Sequence, residues 1–199
     1  MIPMEIIATI RSDFPTKFGI PRQSGLVEEL KARFGALVYG VDVPSLESVV
    51  EGLLKEKGLT IGTAESCTGG LMAKRLPDVP GASQVFKGGI VSYTNEAKQQ
   101  MLGVSDESLE QHGAVSEAVV LEMARGALAH SSAAISVAIS GIAGPGGATP
   151  GKPVGTVWFA WADQSGRHHS LLARFDGDRR QVRQQAVRQA LSGLLALLR

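Results

Sequence analysis

Apolar residues recur along most of the chain with the spacings of helices and strands. After Ser45, a residue type that caps helices, apolar side chains recur three or four positions apart as far as Gly58. This pattern predicts an amphipathic helix that ends at the glycine. A second apolar stripe predicts the last helix, at about residues 178–198. Its members are Val187, Ala190, Leu191, Leu194, Leu195 and Leu198.

The segments between these two helices alternate between strand and helix patterns. Strands are predicted at residues 59–64, 87–93, 135–140, 155–162 and 168–175. Helices are predicted at residues 70–76, 96–102 and 116–130. Pro77 ends the first of these helices, and Asn95 and Ser116 are the expected caps of the others. The last two strands flank a D-Q-S-G-R turn, which predicts an antiparallel hairpin beside an otherwise parallel sheet.

Strands that alternate with helices predict a fold class. We expect an α/β protein with three layers, α/β/α, and a mixed, mostly parallel sheet.

The first 43 residues follow a different pattern. Residues 1–10 are compatible with a short strand, but the following R-S-D-F-P-T-K-F-G-I-P-R-Q-S-G mixes charge, proline and glycine without a period. The regular pattern begins at Pro44. The sequence therefore predicts an N-terminal extension and linker at residues 1–43 and one domain at residues 44–199.

Composition narrows the class of protein. The chain of 199 residues carries 20 Lys plus Arg against 19 Asp plus Glu, so a net charge of +1 predicts no direct binding of nucleic acid or of a membrane surface. The single cysteine, and the lack of a leader or a long apolar run, favour a cytoplasmic setting. Glycine is in excess at 24 residues, and the stretch between Gly141 and Gly155 is especially rich in it.

The turn A-E-S-C-T-G-G is the first candidate for chemistry. Ser66 follows a predicted buried strand, and two glycines open a helix, so backbone N–H groups converge on a position where an anion or oxyanion can bind. The alternative is an ordinary turn in which Ser66 or Thr68 caps the helix. Cys67 is a rival nucleophile, although a lone cysteine among apolar residues more often fills space. Ala64 stands where the hydrolase elbow G-x-S-x-G needs glycine.

A serine nucleophile requires a base. The four histidines lie at helix ends or after a turn, where structural or solvated roles are expected; they are His112, His130, His168 and His169. Lys98 of S-Y-T-N-E-A-K lies near a helix start, where a cation opposes the helix dipole, and Tyr93 ends the preceding strand. A partly desolvated lysine can take a hydroxyl proton. A solvated lysine on a helix surface is the alternative.

Two further segments offer ligand contacts. Arg179 and Arg180 crowd the start of the last helix, which is unfavourable unless one of them faces an anion. The glycine-rich loop contains most of a P-loop pattern, but Pro153 stands where that pattern needs Ser or Thr, and a strand is predicted to follow. We therefore expect no nucleoside triphosphatase, and the residue spacings indicate no metal site.

Several segments together resemble one family. They are G-L-T-I-G-T-A-E-S-C-T-G-G-L-M-A-K-R-L-P-D-V-P-G-A-S, F-K-G-G-I-V-S-Y-T-N-E-A-K-Q-Q-M-L-G-V, H-G-A-V-S-E-A-V-V-L-E-M-A, S-G-I-A-G-P-G-G, K-P-V-G-T-V-W-F-A and F-D-G-D-R-R-Q-V-R. From about Ser45 to Leu198 the chain resembles the C-terminal domain of the competence/damage-inducible protein CinA, which also occurs as a stand-alone nicotinamide mononucleotide amidohydrolase. The resemblance implies hydrolysis of nicotinamide mononucleotide to nicotinate mononucleotide and ammonia in pyridine nucleotide recycling, with no cofactor and with a homodimer in many members.

The resemblance also implies roles for residues. Ser66 matches the family's nucleophile, and Tyr93 and Lys98 match its proton-transfer partners. The residues expected to contact the substrate are Glu65, Thr68, Gly69, Gly70, Ser83, Ser140, Gly141 and Arg179. At the position of Ser140 many members carry threonine, which keeps the hydroxyl. A non-catalytic nucleotide sensor, or an interaction module in competence or damage responses, is the alternative function.

The N-terminal segment resembles other proteins. Residues 36–50 resemble the linker and first helix that follow a larger N-terminal domain in two-domain members, and that domain and its pyrophosphatase-type activity are expected to be absent. Residues 7–27 resemble the opening of an S-adenosylmethionine-dependent tRNA adenine methyltransferase. So short a segment predicts no catalysis of its own.

Overall fold

The N-terminal part of the chain forms a small parallel sheet. A computed structural model describes residues 8–10, 25–35 and 38–199. Strand β1 (Ala8–Ile10) pairs with β2 (Val38–Val41), and helix α1 (Leu26–Phe34) lies between them in sequence. The strand expected within residues 1–10 is found at residues 8–10. Helix α1 and strand β2 were not predicted. Most of the methyltransferase-like segment lies outside the described residues.

The central sheet has five strands in the order β4-β3-β5-β6-β7. They are β3 (Ile61–Glu65), β4 (Phe86–Val91), β5 (Ile135–Gly141), β6 (Thr156–Asp163) and β7 (His168–Arg174). Strand β3 pairs in parallel with β4 and β5, while β6 is antiparallel to both β5 and β7. The mixed sheet and the antiparallel hairpin are therefore confirmed, and β6 alone opposes the common strand direction.

Helices cover both faces of this sheet. They are α2 (Leu46–Glu56), α3 (Leu71–Arg75), α4 (Asn95–Leu102), α5 (Asp106–His112), α6 (Glu117–Ser131) and α7 (Arg179–Leu198). One core joins α2, α3 and α7 to Ile139 and Trp161 of the sheet. The other joins α4 and α6 to the alternate positions Ala138 and Ala160. Successive strand residues point to opposite faces, so these two cores confirm the three-layer fold.

Local caps explain where the helices begin. The Ser45 and Asp178 side chains each accept from the amide three residues on, in capping boxes, and Ser116 caps α6. The prediction that Asn95 caps α4 is wrong, because Thr94 accepts from the amide of Ala97 and the helix begins one residue earlier. Helix α5, which is short and has little apolar period, was not predicted.

Two helical glycines should respond oppositely to a methyl group. A Cβ at Gly193 would lie 2.1 Å from the indole of Trp161, whereas a Cβ at Gly52 meets nothing within 4 Å. Gly193→Ala should therefore lower the free energy of unfolding by about 1–3 kcal/mol, because the packed indole must move. Gly52→Ala should raise it by about 0.5–1 kcal/mol through helix propensity. Urea unfolding of both variants tests this; equal effects would contradict the packing.

Candidate active site

Ser66 lies immediately beyond the end of β3, in a turn held at both sides. Its amide donates to the carbonyl of Ile139 on β5 at 2.9 Å, and its own carbonyl accepts from the amide of Gly69 at 3.0 Å. Gly69 and Gly70 adopt left-handed φ values of 56° and 86°, which glycine allows without strain, and α3 begins directly after them. The turn therefore presents Ser66 at the carboxyl ends of parallel strands, where α/β sheets commonly bind ligands.

Lys98 lies against Ser66 inside the protein. Its Nζ is 3.0 Å from the Ser66 Oγ and 3.0 Å from the carbonyl oxygen of Ser92. The lysine is only 1% exposed, and Ser66 is 8% exposed. Within the described ranges no carboxylate forms an ion pair with this ammonium. Burial therefore lowers the pKa of Lys98, because the charged form loses water, and the neighbouring Cys67 opposes this shift only in part.

Two features place Lys98 at that depth. The Thr94 cap begins α4 directly after the loop that carries Ser92. At the other end of α4, a Cβ on Gly126 of α6 would lie 2.1 Å from the Leu102 carbonyl oxygen. The glycine thus allows α6 and the end of α4 to pack closely together. This close packing is consistent with the burial of Lys98 on α4.

Cys67 packs in one of the two cores. Its side chain belongs to the core formed with α2, α3 and α7, and it is a buried free thiol. Desolvation by this burial raises the pKa of Cys67 to about 12. The two neighbours therefore differ in their contacts, because the Ser66 hydroxyl accepts a hydrogen bond from Lys98 whereas the thiol is buried among apolar residues.

The buried thiol should be slow to react. At pH 8 a thiol with a pKa of about 12 is ionised at a level of about 10⁻⁴, so iodoacetamide should label the folded protein far more slowly than the unfolded chain. Mass spectrometry of samples with and without urea measures the two rates. Rapid stoichiometric labelling of the folded protein would contradict this burial.

Glu65 supports the turn from below. Its carboxylate accepts from the amides of Met72 at 3.0 Å and Ala73 at 2.7 Å, so it satisfies the first turn of α3. The side chain is fully buried. Both carboxylate oxygens are thus engaged within the protein, and a substrate contact by Glu65 stays a prediction.

Thr68 connects the turn to the last helix. Its carbonyl accepts from Nη2 of Arg183 at 2.6 Å and from the amide of Leu71 at 3.2 Å. The Thr68 hydroxyl is buried and has no hydrogen-bond partner among the described residues.

Tyr93 and Arg179 meet at the mouth of this site. The Tyr93 hydroxyl accepts from Nη2 of Arg179 at 2.5 Å, and Nη1 of Arg179 donates to the Gly144 carbonyl at 2.9 Å. Tyr93 is 53% exposed, and its ring lies 4.0 Å from the position of a Cβ on Gly69. Arg179 therefore connects Tyr93, which lies beside the turn of Ser66, to Gly144 in the glycine-rich loop.

Ser140 and Gly141 end the strand beside β3. The buried Ser140 hydroxyl donates to the carbonyl of Ala114 at 2.6 Å. At Gly141 a Cβ would lie 2.8 Å from the Thr156 carbonyl oxygen, so the close pairing with β6 requires a residue without a side chain. Both residues lie at the strand end next to Ser66.

Lys152 of the P-loop-like pattern is engaged within the protein, because its Nζ donates to the His112 carbonyl.

Ser83 lies elsewhere. It belongs to a short 3₁₀ helix, Ala82–Gln84, that precedes β4, whereas Ser66 follows the parallel strand β3. The length of β4 separates the two ends by roughly 15–20 Å. Within one copy of the chain, Ser83 is therefore not brought to the other predicted site residues.

Two of the four histidines lie away from Ser66. His168 and His169 begin β7, where they pair with Ala162 and Trp161 near the opposite end of the sheet.

Across residues 8–10, 25–35 and 38–199, no three His, Cys, Asp or Glu side chains gather in a way that could hold a metal ion. No helix in those ranges has the length and apolar character to cross a bilayer.

Sequence reasoning missed Arg183. Its distance of four residues from Arg179 places both on one face of α7, and this spacing is the signal that could have found it. Neither arginine has a carboxylate partner among the ion pairs of the described residues. Together with Lys98 they make this edge of the sheet cationic.

Fold and site define an α/β protein with a buried serine–lysine pair at the carboxyl ends of parallel strands. The chain belongs to the CinA C-terminal domain family, whose model matches residues 43–198.

Relatives of two lengths match this chain. The CinA-like protein of Akkermansia muciniphila is 51% identical over 166 residues, which are 83% of this chain and 40% of that protein. The nicotinamide-nucleotide amidohydrolase PncC of Escherichia coli K12 is 52% identical over 153 residues, which are 77% of this chain and 93% of that protein. The chain thus spans about two fifths of the longer relative and nearly all of the shorter one.

Solved structures share the architecture. A competence-damaged protein (CinA) superfamily protein from Klebsiella pneumoniae is 43% identical with a TM-score of 0.75, and the match covers 77% of this chain and 95% of that one. A competence/damage inducible protein from Agrobacterium tumefaciens is 44% identical with a TM-score of 0.73, covering 77% and 96%.

Proposed function

We propose that this chain hydrolyses the carboxamide of a nicotinamide nucleotide, nicotinamide mononucleotide in the first instance, to the carboxylate and ammonia. The observation that carries the proposal is the contact between the Lys98 Nζ and the Ser66 Oγ at 3.0 Å inside the protein. The name and the 52% identity of PncC, over nearly all of its length, support the choice of substrate. Residues 44–199 are proposed to form the catalytic unit, and residues 1–43 an extension and linker.

The first half of the reaction uses the serine and the lysine. Neutral Lys98 takes the proton of the Ser66 hydroxyl as Oγ attacks the carboxamide carbon, which gives a tetrahedral oxyanion. Amides of the turn, including those of Thr68 and Gly70, stabilise that oxyanion. The C–N bond then breaks, the protonated lysine supplies a proton to the leaving nitrogen, and ammonia departs from an acyl ester on Ser66.

The second half restores the enzyme. Lys98, again neutral, takes a proton from water as the water oxygen attacks the ester carbon. The Ser66 oxygen leaves with the proton held by the lysine, and the product is the nucleotide carboxylate. The carboxylic acid releases its remaining proton to solvent, and no step changes an oxidation state.

Residues at the mouth are proposed to orient the substrate. Arg179 offers a guanidinium to the phosphate, which suits bidentate recognition, and the strand ends at Ser140 and Gly141 border the same space. Tyr93 accepts from Arg179, so its own hydroxyl proton is free to be donated near the leaving group. Thr68, Gly69 and Gly70 bring backbone rather than side chains to the ligand.

The test is direct. The purified protein is incubated with nicotinamide mononucleotide, and ammonia and nicotinate mononucleotide are measured together. Equal amounts of both products are expected. Binding of the nucleotide without any turnover would instead favour the non-catalytic sensor. Size-exclusion chromatography of the same sample tests the proposed homodimer.

A further inference from the structure

Besides Arg179 and Arg180, the first two turns of α7 carry Arg183, which has no assigned substrate role. Arg183 donates from Nη2 to the Thr68 carbonyl at 2.6 Å. The same nitrogen lies 3.4 Å from the position of a Cβ on Gly69. The guanidinium therefore rests against the middle of the turn that presents Ser66.

The turn has few attachments of its own at that point. Ser66 is tied to β5 through Ile139, and Glu65 holds the start of α3. Between these anchors lie Gly69 and Gly70, which have no side chains and sample many backbone conformations when unrestrained. Arg183, on the neighbouring helix α7, supplies a side-chain bond to the Thr68 carbonyl directly before this stretch.

We propose that Arg183 is a positioning residue that locks the turn at residues 66–70, so that the Ser66 Oγ stays within reach of Lys98. This inference rests on the proposed function of Ser66 as the nucleophile. A charge-assisted bond to a carbonyl is stronger than a neutral one, which suits a contact that must hold a glycine-rich turn.

A second observation fits this role. The Arg183 Nε is buried and has no hydrogen-bond partner among the described residues. A buried donor without an acceptor is unfavourable, so the hydrogen bonds of the guanidinium are incomplete in this position. The Thr68 contact is what orients it, and Arg179, four residues earlier, ties the Tyr93 and Gly144 segments to the same face of α7.

The experiment compares three variants of the full chain. Arg183→Met removes the bond, Arg183→Lys keeps a charged donor, and Arg180→Met removes an equal charge from the exposed first turn of α7. In Arg183→Met we expect kcat for nicotinamide mononucleotide to fall about 10- to 100-fold, as for a small misplacement of a reacting group. KM and the midpoint of the pH–rate profile should hardly change. Arg183→Lys should recover part of kcat, and Arg180→Met should match the parent protein.

Hydrogen exchange tests the lock without turnover. Amides in the peptide that covers residues 66–70 should exchange faster in Arg183→Met than in Arg180→Met, while peptides from β5 stay unchanged. Unchanged exchange in this peptide would overturn the proposal, as would a parental kcat in Arg183→Met.

Two other outcomes also overturn it. A raised KM with unchanged kcat would make Arg183 a substrate contact instead, and failure of both Arg183 variants to fold would make it a general structural residue. If Ser66→Ala kept full activity, the assignment of Ser66 as the nucleophile would fail, and if the parent protein released no ammonia, the proposed function would fail; in both cases the exchange result would still report on the turn.

Discussion

Ser66→Ala should lower ammonia release from nicotinamide mononucleotide by roughly 10³-fold or more, since loss of a nucleophile removes the covalent path. The hydroxyl is 8% exposed and contacts the lysine, and its removal creates no large void. The variant should therefore stay folded and still bind the nucleotide. Continuous ammonia detection, with nucleotide binding measured by calorimetry, separates loss of chemistry from loss of binding.

The neighbouring residue supplies the matched control for that experiment. Cys67→Ala changes a buried thiol that packs in the core, so it should keep kcat near the parental value at some cost in stability. If Cys67→Ala were inactive and Ser66→Ala active, the assignment of the nucleophile would be reversed. Mass spectrometry after acid quench should detect an acyl adduct on the peptide that contains Ser66.

Lys98→Met should reduce kcat by about 10²- to 10⁴-fold, the usual contribution of a general base. Methionine fills a similar volume, so the effect on packing should be small. Lys98→Arg is the informative companion, because a guanidinium keeps the charge but does not release a proton in the accessible pH range. Both variants should be inactive; full activity in either one would exclude Lys98 as the base.

The pH dependence has a definite sign. A base acts when deprotonated, so the parental rate should rise with pH through the pKa of Lys98, which burial lowers from the ordinary 10.5. Between that lowered pKa and 10.5 the unfolded chain binds more protons at this lysine than the folded one does. Stability should therefore increase with pH across this window, and Lys98→Met should flatten that dependence. Urea unfolding at several pH values measures it and also shows that the variant folds.

Local pattern was sufficient for most of the central domain. The capped helices after Ser45 and Ser116, the hairpin before Asp178 and the buried stripe of α7 depend on nearest neighbours and on apolar period, and each is found in the structure. The failures have two causes. Helix α5 lacks an apolar stripe, and the small sheet of β1 and β2 forms by pairing of distant, weakly patterned segments.

Residue types and the family resemblance were sufficient to identify the turn of Ser66 and Lys98. The sequence alone shows two glycines after a buried strand and a lysine near the start of a helix, where a cation is unfavourable. Four features needed the folded chain. Cys67 is buried in the core, and strand direction puts Ser83 at the far end of β4 from Ser66. Lys98 is buried against Ser66, 32 positions away, and Arg183 contacts Thr68, 115 positions away. A sequence records periodicity and residue type, whereas desolvation and the choice of contact depend on which distant surfaces pack together.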